Sequence, residues 1–272
     1  MLLFNKNCPQ CGNRYDKTLS KCPSCQYDND IALSRHFNKN VVFLQPGVQI
    51  GLFLLGFSYV GMLGIEILLS IFIPLDNLLG KTLLTGLTYI ILFVSLLAIA
   101  ILDRKFIFAK KFTRLVDYLF GFGYAGILIL VGNYLPYLIS WLSKVPIEEL
   151  NNTNQETAID MIKYYPIFSF FFITILGPVC EEITYRVGLY SFLKRINTIF
   201  AFLVTVIIFA FIHFSFKSET MKIELLTMPI YIVLGLMLTL AYEHRGPACS
   251  ITAHIVYNGF AFFSILYEIN HG

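Results

Sequence analysis

The sequence predicts an all-α polytopic membrane protein with about seven transmembrane helices and a small polar segment at its N-terminus. Of its 272 residues, 57% are hydrophobic and 14% are charged, and the mean hydropathy is +0.70. Soluble domains carry about 25% charged residues, so this composition indicates a membrane protein. Several apolar stretches also reach about 20 residues, the length that an α-helix needs to cross a bilayer. The formal net charge of +3 is too small to indicate nucleic-acid binding.

Two pairs of cysteines lie in the first 30 residues. Cys8 and Cys11 form one CxxC motif, and Cys22 and Cys25 form another after ten intervening residues. This spacing predicts a zinc ribbon, in which each pair folds as a knuckle and four thiolates close a tetrahedron around Zn²⁺. So short a segment has little apolar core and depends on a structural metal. Reduced cysteines also favour a cytoplasmic location.

Apolar segments follow a polar linker at residues 31–46. They predict transmembrane helices at residues 47–73, 83–102, 115–142, 166–195, 199–214, 225–242 and 247–267. The first three belong to an accessory region at 47–142, and the others to a core region at 165–272. The polar stretch at 143–163 between these regions is predicted to be an exposed loop. Glu66, near the far end of the first span, is expected to snorkel or to make a packing hydrogen bond.

Charged residues interrupt the fourth apolar segment. It contains Glu181 and Glu182, followed by Arg186. On an α-helix, Glu182 and Arg186 are four residues apart and share a face, so they can form an ion pair. Glu181 points about 100° away from that face and is left free for chemistry. Acids inside a membrane are costly, which makes a functional role the default interpretation.

Two later segments supply further polar side chains. Phe209 and His213 lie at the end of the fifth segment, and His254 and Asn258, again four residues apart, lie in the seventh. At 1.5 Å per residue, Glu181 and His213 both lie about 21 Å from the predicted inner helix ends. A Glu and a His can share a water and remove its proton, while a second His and an Asn amide can stabilise an oxyanion. Phe209 is predicted to pack beside these groups and shape the cavity.

These residues form three motifs that resemble those of a known family. EExxxR at 181–186, FxxxH at 209–213 and HxxxN at 254–258 are similar to the motifs of the CPBP family of intramembrane proteases. That family includes the CAAX prenyl endopeptidases and the bacterial Abi and bacteriocin-immunity relatives. The motifs occur in the family's order, and the resemblance covers residues 165–267.

The resemblance implies a catalytic helix bundle and a role for each motif residue. Glu181 and His213 would activate the attacking water, and His254 and Asn258 would stabilise the oxyanion. The second glutamate and the arginine of the first motif would organise the site electrostatically. The substrate would be a membrane-associated peptide or protein, either lipidated or hydrophobic.

The sequence leaves the metal and the function open. Glu181, His213 and His254 are chemically able to hold a catalytic metal. The chain has no HExxH motif, however, and an unmetallated Glu–His couple suffices to deprotonate water. A membrane binding or immunity protein would hold a peptide in the same cavity without cutting it, although binding alone does not need this couple. A proton-coupled transporter would use the two glutamates, but the inverted repeats that such transporters tend to show are not visible.

The distribution of Lys and Arg predicts the orientation in the membrane. With the N-terminus inside, 15 of the 20 Lys and Arg residues fall in inner segments. Such an excess is typical of cytoplasmic loops. We therefore expect a multi-pass protein with a cytoplasmic N-terminus. The zinc ribbon and the lack of a visible targeting signal favour a bacterial plasma membrane.

Reporter fusions test this topology. Residues 1–45 and 103–114 should report from the cytoplasm, and residues 143–163 and the C-terminus from outside, because an odd number of spans separates the two ends. A C-terminal fusion that reports from the cytoplasm would show that the number of spans is even.

Overall fold

Apolar helices make up most of the chain in the computed structural model, which describes residues 5–8, 10–16, 21–27, 40–60, 78–102, 107–216 and 220–271. The helices are α1 (Pro46–Val60), α2 (Leu78–Ile101), α3 (Ile107–Lys110), α4 (Leu115–Ser143), α5 (Thr153–Tyr164), α6 (Pro166–Leu193), α7 (Thr198–Phe211), α8 (Met221–Arg245) and α9 (Pro247–His271). The predicted class of an all-α polytopic membrane protein is confirmed.

Among the described residues, five helices are long and apolar enough to cross a membrane, judged by length and composition: α2, α4, α6, α8 and α9. Two shorter apolar helices, Pro46–Phe57 and Thr198–Phe211, lie where the first and fifth spans were predicted. The second half of the first predicted span, with Glu66, lies outside the described residues.

The prediction of an exposed loop at residues 143–163 is wrong, because a 3-10 turn at Ile147–Glu149 and helix α5 occupy much of it. The Asn152 side chain begins α5 by accepting a hydrogen bond from Gln155 N at 2.9 Å. Met161 and Ile162 near its other end are buried. A capped helix with one apolar edge packs on the bundle, although its polar composition conceals that edge.

Helix α6 is irregular, because its stretches Phe170–Leu176 and Glu182–Tyr190 are π-helical. Pro178 lies between them and has no N–H to donate to the preceding turn. Ile173 lies five residues earlier, the spacing of a π-helical hydrogen bond. Its carbonyl instead accepts a hydrogen bond from Asn258 Nδ2 of α9 at 2.9 Å. The irregular turn is therefore stabilised by a neighbouring helix.

Small residues bring α1 close to α6. A Cβ at Gly188 would lie 2.9 Å from Phe53 N, and a Cβ at Gly56 would lie 1.9 Å from Thr184 Oγ1. Neither position has room for a larger side chain without movement of the neighbour. Close backbone approach through small residues is a common way for helices to pack in membranes.

Residues 40–45 form no regular secondary structure, and the four apolar residues 41–44 are buried against the helices. Val42 N donates to the Tyr242 hydroxyl at 3.0 Å. Gln49 Nε2 donates to Val42 O at 3.2 Å and to Val187 O at 3.3 Å. This part of the predicted linker is therefore built into the helix bundle, while residues 31–39 lie outside the described residues.

The N-terminal segment has a short hairpin and a cluster of four cysteines. Strands β1 (Asn5–Asn7) and β2 (Arg14–Asp16) pair antiparallel. All four Sγ atoms lie within 4.8 Å of one another. The Sγ–Sγ distances are 3.5 Å for Cys8–Cys25 and 3.6 Å for Cys11–Cys22. Ligands about 2.3 Å from a tetrahedral ion lie about 3.8 Å apart, so this cluster fits a metal ion.

Candidate active site

A cavity of about 240 Å³ lies among the later helices of the bundle. Five of the predicted site residues line it: Glu181, Phe209, His213, His254 and Asn258. Glu182 and Arg186 lie next to this group but are fully buried. The tertiary structure thus brings together side chains from α6, from α7 and the turn that follows it, and from α9.

The Glu182 carboxylate is shared by two basic side chains. Its Oε1 atom lies 3.1 Å from Arg186 Nη1 and 3.1 Å from His254 Nδ1. The contact with Arg186 is the one that the i, i+4 spacing predicts. The contact with His254 joins positions 72 residues apart, which sequence reasoning did not foresee. Buried charges are costly unless they are paired, so this cluster has to form as a unit.

Arg186 is held on three sides. Besides Glu182, its Nη2 atom donates to Gly235 O of α8 at 3.2 Å, and its guanidinium lies 4.4 Å from the centroid of the Phe209 ring. A Cβ at Gly235 would lie 3.0 Å from Phe209 Cδ1, so glycine leaves room for this ring. Gly235 was not among the predicted site residues, although a glycine inside an apolar helix was an available signal.

Glu181 has a different environment from its neighbour. Its side chain is 19% exposed and faces the cavity, whereas Glu182 is 0% exposed. Its Oε2 atom is buried, has no hydrogen-bond partner among the described residues, and lies 3.8 Å from His254 Nε2. The site therefore contains one carboxylate in close contact with an arginine and one that faces the cavity beside a histidine.

Both histidines use Nδ1 for contacts within the protein. His213 Nδ1 lies 2.9 Å from Phe209 O, and His254 Nδ1 lies 3.1 Å from Glu182 Oε1. Because these oxygens only accept hydrogen bonds, each Nδ1 carries a proton, and Nε2 of the neutral ring keeps its lone pair. His213 lies in the turn after α7, which ends at Phe211 rather than at residue 214 as predicted.

Asn258 contributes to both the fold and the cavity. One hydrogen of its amide group goes to Ile173 O. An Asn NH₂ group has two hydrogens, so this amide can donate one more hydrogen bond, and its residue lines the cavity.

Three further residues of the site were missed by sequence reasoning. Asn152, at the start of α5, and Tyr231 of α8 line the cavity, and the Tyr231 ring stacks on His213 at 4.5 Å. Glu224 is buried, and its Oε1 accepts a hydrogen bond from Thr153 N at 2.9 Å. An acid beside an apolar run was a usable signal for Glu224. The other two resemble ordinary loop and helix residues.

The four ribbon cysteines are the one group of potential metal ligands that the described residues bring together. Glu181, His213 and His254 are not gathered in this way. Both histidines do have Nδ1 on an oxygen acceptor, an arrangement common in metal-bound histidines. A catalytic metal at these residues stays a hypothesis.

Comparison with known proteins identifies relatives of part of the chain. Residues 163–260 match the family model described as Type II CAAX prenyl endopeptidase Rce1-like. The chain is 28% identical to the UPF0177 protein YvdC of Lactococcus lactis, over 48% of this chain and 50% of that protein. It is 32% identical to the membrane-embedded CAAX protease MroQ of Staphylococcus aureus, over 39% of this chain and 42% of that protein. The chain thus spans about half the length of these relatives or less, and no solved structure matches it.

The substitution Glu182→Gln tests the buried charge pair. It leaves Arg186 charged without its carboxylate, which should lower the free energy of unfolding by about 3–5 kcal/mol. The amide oxygen can still accept from His254, so the loss should come from the missing charge. Thermal unfolding in detergent measures it.

Glu181→Gln is the matched control, because it makes the same chemical change one residue earlier and leaves the pair of Glu182 with Arg186 intact. Its stability should stay near that of the wild type. The double variant Glu182→Gln/Arg186→Met should recover part of the loss. Equal melting temperatures for Glu181→Gln and Glu182→Gln would contradict the assignment.

Proposed function

We propose that the protein is an intramembrane endopeptidase, a proposal supported by the match of residues 163–260 to the family model of Rce1-like type II CAAX prenyl endopeptidases. The observation that carries the proposal is the contrast between two adjacent carboxylates. Glu182 is neutralised by Arg186, whereas Glu181 faces the cavity beside His254. Neighbouring acids in different environments can take different roles, one electrostatic and one as a base.

Glu181 acts as the general base in this proposal. A water between Glu181 and Nε2 of His213 loses a proton to Glu181 as its oxygen attacks the carbonyl carbon of the peptide bond. Glu181 then returns this proton to the leaving amine when the C–N bond breaks. The lone pair that His213 keeps on Nε2 supports its role in orienting the water.

His254 and Asn258 stabilise the oxyanion that forms on the carbonyl oxygen. The second amide hydrogen of Asn258 is one donor. His254 donates from Nε2 when its ring carries both protons, and Glu182 then balances the positive charge through Nδ1. Arg186 in turn holds Glu182 in place.

The proposed substrate is a membrane-associated peptide or protein, lipidated or hydrophobic. Apolar side chains supply much of the cavity wall, among them Ile162, Ile173, Leu234, Phe262 and Ile265. An apolar wall around a few polar groups suits a hydrophobic segment next to the cleaved bond. The alternative is a membrane binding or immunity protein that holds such a segment without cleaving it.

We propose that the protein works in a bacterial plasma membrane with its N-terminus in the cytoplasm. Both relatives are bacterial, and five helices are long enough to span a membrane. The excess of Lys and Arg in the predicted inner segments supports the orientation.

The cysteine cluster is proposed to hold a structural zinc ion. Burial opposes ionisation of Cys22, but hydrogen bonds from the backbone of Ser24 and Cys25 lower the pKa of this thiol to about 7. Burial raises the pKa of the Cys8 and Cys25 thiols. A bound dication favours the thiolate form of its ligands, so metal binding would hold the segment in its fold.

Cys22→Ser tests the zinc site. The wild type should contain about one zinc per chain, and the variant should lose it, because a structural site needs all four ligands. Cys180→Ser changes a buried cysteine of α6 and is the control that should keep the metal. Elemental analysis of protein purified without chelator gives the answer. An absence of zinc from the wild type would contradict the proposal.

Glu181→Gln tests the proposed base. The change keeps the shape of the side chain but removes the proton acceptor, so cleavage should fall at least about a hundredfold. Comparison of membrane proteomes from cells with the wild type and the variant identifies the cleaved protein, and a peptide from it serves as the substrate for purified enzyme.

Glu149→Gln, at an exposed glutamate of the 3-10 turn, is the control and should cleave normally. Cleavage by Glu181→Gln at the wild-type rate would contradict the assignment of the base. Binding of the peptide by the wild type without cleavage would favour the alternative function. A chelator that inactivates the wild type while Cys22→Ser remains active would indicate a catalytic metal.

A further inference from the structure

The ring of His213 contacts two aromatic rings. The centroid of the Phe209 ring is 4.9 Å away, and the centroid of the Tyr231 ring is 4.5 Å away on a nearly parallel plane, at 18°. The contact of Nδ1 with Phe209 O fixes one edge of the imidazole. Tyr231 therefore supplies the flat surface that limits rotation of the ring.

The hydroxyl of Tyr231 is bound to the start of α5. Asn152 Nδ2 donates to it at 3.0 Å, and Asn154 Nδ2 donates at 3.4 Å. Asn152 also caps α5 through Gln155 N. The first turn of α5 is thereby connected to the ring that stacks on His213.

A second connection runs through Glu224, which is 1% exposed. Its Oε1 accepts from Thr153 N at 2.9 Å, and its Oε2 accepts from Ser215 N at 3.2 Å. Thr153 is the first residue of α5, and Ser215 lies two residues after His213. One carboxylate thus joins the start of α5 to the turn that carries the histidine.

Helix α5 also borders the cavity itself. Its residues Gln155, Ala158 and Ile162 line the wall, together with Asn152 and Asn154 at its start. The hydrogen bonds to the Tyr231 hydroxyl hold the start of α5, so the seating of this helix depends on the position of the Tyr231 ring.

We propose that Tyr231 is a positioning residue that keeps Nε2 of His213 directed to the attacking water, and that its hydroxyl couples this orientation to the seating of α5. The inference rests on the proposed endopeptidase function. Tyr231 acts through His213, so removal of its ring should lower kcat with little change in KM. Removal of the hydroxyl alone should loosen α5 and leave the ring in place.

The first experiment compares Tyr231→Met with Tyr231→Phe. Loss of the aromatic stack should lower kcat about tenfold in Tyr231→Met, with KM within about twofold of the wild type. Tyr231→Phe keeps the ring and should therefore retain most of the wild-type kcat. A tenfold loss in both variants, or in neither, would overturn the assignment of the ring.

The second experiment does not depend on activity. In protein labelled with ¹⁵N-histidine, His213 should show the Nδ1–H tautomer, and its signals should change in Tyr231→Met but not in Tyr231→Phe. A His213→Gln variant identifies the signals. Tyr124→Met is the matched control, because the Tyr124 hydroxyl lies 3.3 Å from Nδ1 of a different histidine, His244. It should alter the signals of His244 alone.

The third experiment tests the coupling to α5 by hydrogen exchange. Tyr231→Phe removes the hydroxyl that Asn152 and Asn154 contact, so it should speed exchange of the α5 amides by at least about fivefold, the effect of losing one hydrogen bond. Asn152→Ser keeps a capping residue but is too short to reach Tyr231, and it should have a similar effect. Both changes remove the hydrogen bond between Asn152 and Tyr231. Exchange in the double variant Asn152→Ser/Tyr231→Phe should therefore be slower than the product of the two single effects predicts.

The outcomes separate this inference from the proposed function. Changed His213 signals in Tyr231→Met together with no cleavage by the wild type would support the positioning role and contradict the endopeptidase. Normal cleavage by the wild type with unchanged His213 signals in Tyr231→Met would support the endopeptidase and contradict the positioning role. Unchanged exchange of α5 in Tyr231→Phe would overturn the coupling.

Discussion

The arrangement of the later helices depends on the buried carboxylate of Glu182. It binds Arg186 on its own helix and His254 on α9, and Arg186 extends the contact to Gly235 of α8. A charge in an apolar interior is stable only with its partners present, so these helices are held in one relative position. This constraint also determines where Glu181 points. Because the neighbouring Glu182 is fixed, the Glu181 carboxylate faces the cavity.

The irregular geometry of α6 gives α9 a second point of attachment. Pro178 removes an amide hydrogen from α6, and the carbonyl of Ile173, one π-helical turn earlier, is bound by Asn258. The HxxxN motif of α9 thus contacts two features of α6, with His254 on a carboxylate and Asn258 on a backbone oxygen. Irregular helical turns are frequent at functional sites. Here the irregular turn binds Asn258, which also lines the cavity.

The residues that precede α1 are also connected to the site through hydrogen bonds. The Tyr242 hydroxyl accepts from Val42 N and lies 2.8 Å from Ser191 Oγ, which in turn donates to Arg186 O at 2.8 Å. Gln49 makes a parallel connection from Val42 O to Val187 O. Val42 is therefore connected to the backbone of the second π-helical stretch through Tyr242 and Gln49. This packing gives the buried part of residues 40–45 a structural role in the helix bundle.

The sequence by itself determined the membrane class, the cysteine cluster and the pairing of Glu182 with Arg186, because composition, ligand spacing and helical periodicity are local properties. It did not determine that His254 binds Glu182 or that Tyr231 stacks on His213, since these contacts join residues far apart in the chain. It also concealed α5, whose polar residues resemble a loop until the bundle buries one edge. Only the tertiary structure decided these features, because burial turns an ordinary Asn, Tyr or Gly into a residue with a specific partner.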